Sequence, residues 1–271
     1  KTAPHWKIST TASSPAADDS TQKIKQDYHT GDLRTPANTS PQRPQTATGT
    51  GKPELVILID DMGSSLQEAQ ALANIGVTVN FAIIPSLRQF REVADFAANK
   101  GIEVLIHIPM QSKEYPRRRL EANGLLLEHK NEELQSRMSG YLEALPQAVG
   151  ANNHMGSGFT EDTAKMRVVL QVLKQNGLFF LDSITSPQTV GSKVAAELGM
   201  HHARRDVFPD NEQNESYIRG QLAQAVARAR KNGRAIAICH PHPVTIATLS
   251  KALPELKTQG VTLVAVSRVV K

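Results

Sequence analysis

Asp60 and Asp61 stand side by side where an apolar run, residues 55–59, ends. Adjacent carboxylates repel and shift each other's pKa unless a cation lies near. Neighbours on a strand point to opposite sides, so one can ligate a metal while the other acts as general base. The competing reading is that one of them caps a helix starting near Ser64. His107 lies inside another apolar run, flanked by Ile106, Ile108 and Pro109, where it could equally be a packed core histidine. His154 belongs to the polar cluster Asn152-Asn153-His154-Met155-Gly156-Ser157, as a ligand or as a turn histidine bonded to backbone. Asp61, His107 and His154 would give a divalent metal three protein ligands and an open position, the count of a hydrolytic zinc-type site.

A second group of candidates surrounds His240-Pro241-His242-Pro243, whose prolines stiffen the turn. His240 directly follows the apolar run 235–239 and is the candidate general acid. Asp182, which ends the run 178–181, is expected to orient it and raise its pKa. Asn153, Arg205, Asp206 and His242 are the candidate substrate contacts. Arg204-Arg205-Asp206 and Asp210-Asn211-Glu212 form a charged loop that binds substrate, holds a catalytic aspartate or is simply solvated. Cys239, the one cysteine, reads as a buried strand residue and excludes an internal disulfide framework.

Such residues need elements to bring them together. Strands are expected at 55–59, 79–84, 103–108, 148–151, 178–181, 235–239 and 261–266, with a weaker one near 200–203. Their near-continuous hydrophobicity suits strands covered on both faces. Helical patterns fall at about 64–75, 88–100, 131–144, 161–176, 187–198, 214–232 and 244–258. Gly76, Gly101, Gly177, Gly233 and Gly260 each follow a periodic stretch, where a left-handed C′ residue ends a helix. Thr160 with Glu161 and Asp162 supplies an N-cap and acids for the helix near 161. Seven or eight β-then-α units point to a single α/β domain, a (β/α) barrel with an open doubly wound sheet as competitor. In either, side chains at the carboxyl ends of the strands converge on one face. Five of the seven firmer strands carry acids or imidazoles there. The segment 109–130 is longer than most connections and is expected to shape a binding face.

The 271 residues carry a net charge of +5. Residues 1–53 contribute +3 of it, hold six of the 15 prolines and have only Ile8, Ile24 and Leu33 as large aliphatics. Such a stretch cannot offset its chain entropy and reads as a disordered Thr/Ser/Pro-rich leader or linker ahead of a domain at 54–271. A leader of this kind suits an exported, periplasmic protein. The domain itself is nearly neutral, aromatic content is 4% and there is no basic helix, so nucleic-acid binding is not expected. No stretch approaches the ~20 apolar residues of a membrane-spanning helix. The sequence leaves the oligomeric state open.

The segments 57–63, 101–110, 149–157, 179–183, 203–208 and 235–243 together resemble the divergent polysaccharide deacetylase family, relatives of the NodB-type carbohydrate esterases. The resemblance spans essentially all of 54–271. It implies a distorted, NodB-like (β/α) barrel and metal-dependent removal of acetyl groups from a carbohydrate, in a cell-envelope polysaccharide. It also implies Asp60 as base, Asp61 with His107 as metal ligands, and His240 as acid oriented by Asp182. The second histidine of the NodB-type metal motif falls on Gln111, a poor zinc ligand, so His154 is expected to replace it. The implied cofactor is a divalent metal, zinc first. The alternative is a glycan-binding protein on a degenerate deacetylase scaffold.

Overall fold

The computed structural model describes residues 51–271. The expected leader lies, up to residue 50, outside the described residues. The chain runs β1 (Glu54–Met62), α1 (Leu66–Ala73), β2 (Asn80–Ile83), α2 (Phe90–Asn99), β3 (Val104–Met110), α3 (Asn131–Ala144), β4 (Gly150–Met155) and α4 (Thr163–Gln175). It continues through β5 (Phe179–Asp182), α5 (Gly191–Glu197), β6 (His202–Arg204), α6 (Glu215–Asn232), β7 (Arg234–Cys239), α7 (Pro243–Thr258) and β8 (Thr262–Leu263).

Every strand pairing is parallel. The order is β6-β5-β4-β3-β2-β1-β7, with β8 on the amino-terminal end of β1. The sequence of strands never reverses from β1 to β6, whereas a doubly wound sheet requires a reversal. Past β6, Val207 bridges to β7: its N–H donates to Ile236 O and its own carbonyl accepts from Ile238 N–H, each at 3.1 Å. That bridge all but closes the ring, and the open-sheet alternative is excluded.

Period-two alternation sorts the strand residues into two layers. Leu55, Ile57 and Ile59 pack outward, in the same cluster as helix residues such as Leu72, Val93 and Leu249. Val56, Leu58, Leu105, Leu181, Ile236 and Ile238 form a separate cluster that fills the barrel interior. This interior set occupies the amino-terminal and middle levels. The carboxyl-terminal level belongs to polar side chains.

The helix ends largely follow the sequence. The five glycines expected in left-handed geometry all have positive φ, from 67° at Gly101 to 82° at Gly233. The cap of α4 differs: Asp162, not Thr160, accepts from Lys165 N–H at 2.9 Å, because Phe159–Glu161 forms a short 3₁₀ turn first. The run 261–266 gives only the two-residue β8, since Val266–Arg268 turns into 3₁₀ helix. No helix among the described residues is long and apolar enough to cross a membrane.

Candidate metal centre and proton-transfer site

The interior phase of each strand decides who reaches the site. Asp60 continues the Val56, Leu58 face, His107 the Leu105 face, and His240 the Ile236, Ile238 face. Asn152 and His154 are in phase with each other, opposite to the outward Ala151. Strict alternation would send Asp61 outward. Instead its backbone takes φ +56°, and the β1–β2 register slips by one residue between Ile59 and Met62. This bulge adds twist and re-aims a side chain. Left-handed geometry costs a non-glycine residue about 1–2 kcal/mol. Met155 (φ 52°) and Ile184 (φ 50°) carry the same strain at the neighbouring tips of β4 and β5. Such strain gathers where a site over-determines the backbone.

Asp61 Oδ1 lies 3.1 Å from His107 Nε2 and 2.7 Å from His154 Nδ1, and the two nitrogens are 3.3 Å apart. Asp61 Oδ1 is buried and has no hydrogen-bond partner of good geometry. Three electron-rich atoms thus converge on one point, and the set of two imidazoles and a carboxylate suits a divalent cation such as zinc. The residues present therefore fit a metal. Gln111 is absent from the cluster. Its side-chain oxygen accepts from Leu127 N–H at 2.8 Å, which makes it a strut of the 111–130 loop.

Asn152 fixes the chemistry of this group. Its amide nitrogen donates to Asp60 Oδ1 at 2.8 Å and to Ser183 Oγ at 3.1 Å. Its oxygen is therefore left to accept from His107 Nδ1 at 2.8 Å. With Nδ1 carrying the proton, neutral His107 presents a lone pair at Nε2, towards Asp61. Asp60 Oδ2 lies 3.5 Å from that same nitrogen. Burial pushes the Asp60 carboxyl above the usual range, against the pull of His107 and His240. Burial would raise Asp61 too, yet His154 and His107 hold it well below. The paired aspartates thus have opposite tendencies: Asp61 stays ionised and Asp60 is poised to take a proton.

His240 completes the ring, its Nε2 4.0 Å from Asp61 Oδ2. Its partner is not the expected Asp182. Asp210 Oδ1 accepts from His240 Nδ1 at 3.2 Å, and Asp210 Oδ2 accepts from His240 N–H at 2.7 Å and from the Thr245 hydroxyl at 3.1 Å. Asp182 has the outward phase of Phe180. Its oxygens accept from Ile184 N–H at 2.9 Å and from the Thr189 hydroxyl at 2.8 Å, under the start of α5. A Cβ on Gly191 would meet Asp182 Oδ2 at 2.6 Å, so only glycine lets α5 approach this closely. Burial works against the His240 imidazolium, but Asp210, Asp61 and Asp60 together raise its pKa to about 9.

Three of the four expected substrate contacts are occupied elsewhere. Asn153 is buried; it accepts from Ser183 N–H and donates to Met155 O and Thr185 Oγ1, tying β4 to β5. Asp206 accepts from Ile236 N–H at 2.9 Å and serves the barrel seam. Arg205 donates to Ser183 O and Ile184 O, and its guanidinium lies 4.9 Å over the Phe208 ring, which packs T-shaped with His240. Its reach is through that stack. His242 remains at the site, half-buried, its ring 5.7 Å from that of His240. With Asp210 and His240 it forms the second cluster of potential ligand atoms. Cys239 faces outward and is buried, and burial pushes its thiol well up, so it is no nucleophile.

Sequence reasoning missed Asp210 as the partner of His240 and Asn152 as the hub. The signal for Asp210 was its charged loop after β6.

A sequence profile described as divergent polysaccharide deacetylase matches residues 57–270. The chain belongs to the divergent polysaccharide deacetylase family. The chain is 37% identical over 214 residues to the uncharacterized protein YibQ of Escherichia coli (strain K12), across 79% of this chain and 66% of that protein. The chain thus spans just under two thirds of that relative. An uncharacterized protein of Haemophilus influenzae is 36% identical over 203 residues, 75% of this chain and 72% of its own. The crystal structure of an uncharacterized protein from Agrobacterium tumefaciens C58 superposes with a TM-score of 0.78 at 24% identity, covering 82% of this chain and 91% of the other. That likeness is one of fold. It matches the nearly closed parallel barrel.

Proposed function

We propose that the protein is a metal-dependent hydrolase that removes acetyl groups from a cell-envelope polysaccharide. The observation that carries this reading is the convergence of Asp61 Oδ1, His107 Nε2 and His154 Nδ1 beside a buried aspartate and a paired histidine. Asp61, His107 and His154 would hold a divalent cation, zinc by donor type. Bound there, the cation supplies a Lewis acid for the acetyl carbonyl and acidifies water. Asp60, with its raised pKa, takes the proton of the attacking water at its free oxygen. Asn152 holds Asp60 Oδ1 and leaves Oδ2 facing the reacting groups. His240 is protonated near neutral pH and gives its Nε2 proton to the departing amine or alcohol, while Asp210 steadies the ring from Nδ1. The Thr/Ser/Pro-rich stretch ahead of the domain supports export and an envelope substrate.

The test is acetate release by the full chain from acetylated chitooligosaccharides and from peptidoglycan, with bound metal measured in parallel. The expected result is about one tightly bound metal and acetate release that disappears on chelation and returns with zinc. Failure to bind any divalent metal, with glycan binding retained, would replace the enzyme by a glycan-binding protein on the same scaffold. Tight metal without acetate release would assign the site to another hydrolase class.

A further inference from the structure

The 111–130 loop is pinned at both ends and in its middle. Gln111 N–H donates to Leu125 O, Leu125 N–H to Pro109 O, and Leu127 N–H to the Gln111 side chain. Helix α3 holds the central part: Arg137 donates to Ala122 O and Gly124 O, and the Tyr141 hydroxyl donates to Asn123 O. Polar fastening this dense, in a segment without regular structure, specifies where its side chains point. It points Glu121 at the site. Glu121 Oε1 lies 3.8 Å from His154 Nε2, the nitrogen on the far side of the ring from Asp61. Glu121 Oε2 is buried with no hydrogen-bond partner. A buried carboxylate oxygen without a partner calls for an explanation.

We infer that Glu121 is a positioning residue for the metal centre, an outer carboxylate that steadies His154 through its Nε2–H while Nδ1 faces the metal point. The inference rests on the proposed metal site. His107 has Asn152 in the equivalent place, on its Nδ1 side. Without Glu121, His154 would be the one imidazole of the pair lacking an outer partner. Ligating histidines commonly donate their second N–H to a carboxylate or carbonyl, which fixes ring direction and raises basicity. At 3.8 Å the contact is longer than a hydrogen bond, and a shortening of about 0.6 Å makes it one. Glu121 lies outside the ligand cluster itself, which consists of Asp61, His107 and His154.

The experiment is zinc and cobalt titration of the full-length protein, wild type against Glu121→Gln, with Glu114→Gln as a control on the same loop. Glu114 is exposed and pairs with Arg117. The inference expects zinc affinity to fall about 10–100-fold in Glu121→Gln and the visible spectrum of the cobalt form to shift. Glu114→Gln changes neither, and the thermal midpoints of all three metal-free proteins agree. A general loosening of the loop would lower the midpoint of Glu121→Gln, and that result overturns the inference. So does unchanged zinc affinity with an unchanged cobalt spectrum, which leaves the metal site standing. If the wild type binds neither metal, the metal site fails, and the role of Glu121 fails with it.

Discussion

The tips of β1 and β5 look alike in the sequence and differ in the molecule. Each is an apolar run closed by an aspartate: Leu58-Ile59-Asp60 on one, Phe180-Leu181-Asp182 on the other. Both carboxyls are buried, and burial raises the pKa of both. Yet Asp60 lies in phase with the barrel interior and meets His107, whereas Asp182 lies one step out of phase and meets α5. A single residue of phase turns the same side chain from a proton acceptor into a brace for a turn. Asp61 shows the converse: it is out of phase, and the strained bulge brings it back to the site.

If the interior phase sets function, the largest effects belong to β1. Asp61→Ala should abolish tight metal binding and, with it, acetate release. Asp60→Asn should keep the metal and lower turnover by about 10²–10⁴-fold, the range of a general base. Metal analysis of the two variants beside turnover separates a ligand from a base. Equal metal loss in both would erase the distinction drawn between the paired aspartates.

The barrel and most of the site were legible because hydrophobic run length and glycine punctuation are local signals. Asp60, Asp61, His154 and His240 follow such runs, His107 lies near the end of one, and they meet. Phase was harder to read. A strand buried on both faces shows no polar alternation, so the run before Asp182 carries no mark of which side is inner. The pairing of Asp210 with His240 spans 30 residues and depends on how the loop after β6 folds back, which no local pattern encodes. Gln111 was readable as a departure from a metal motif, but its work as a loop strut required the position of Leu127.

The Asp210–His240 pair predicts an intermediate effect. The raised His240 pKa, about 9 against an ordinary 6.5, means the imidazolium is favoured in the fold. Its stabilisation is complete below about pH 6.5 and is lost as pH rises through about 9. Asp210→Asn removes the negative charge that favours the imidazolium and weakens its hydrogen bond, so the imidazole of the metal-free variant should titrate below the wild-type value, read by NMR. Turnover should fall by about 10²-fold, near the low end for a lost proton donor. A His240 midpoint unmoved by Asp210→Asn would return the partner's role to another acid.

Asp182→Asn should have the smallest effect, and it tests the comparison most directly. Asparagine is isosteric, keeps one oxygen for Ile184 N–H, and replaces the carboxylate acceptor at the Thr189 hydroxyl with an amide that can donate to it. The expected loss is about 1 kcal/mol, or about 2–4 °C of Tm for a domain this size, with metal content and turnover unchanged. Burial raises the Asp182 pKa, so ionisation of this carboxyl weakens the wild-type fold as pH climbs past the ordinary aspartate value of about 3.9. Asparagine carries no such penalty. The stability gap between wild type and variant should therefore be widest in acid and narrow towards neutral pH, in paired melts across that range. A gap that widened towards neutral pH would mean that the Asp182 anion is stabilised by a partner. A fall in turnover at constant Tm would put Asp182 back beside His240, and phase would no longer account for the difference between the two strand tips.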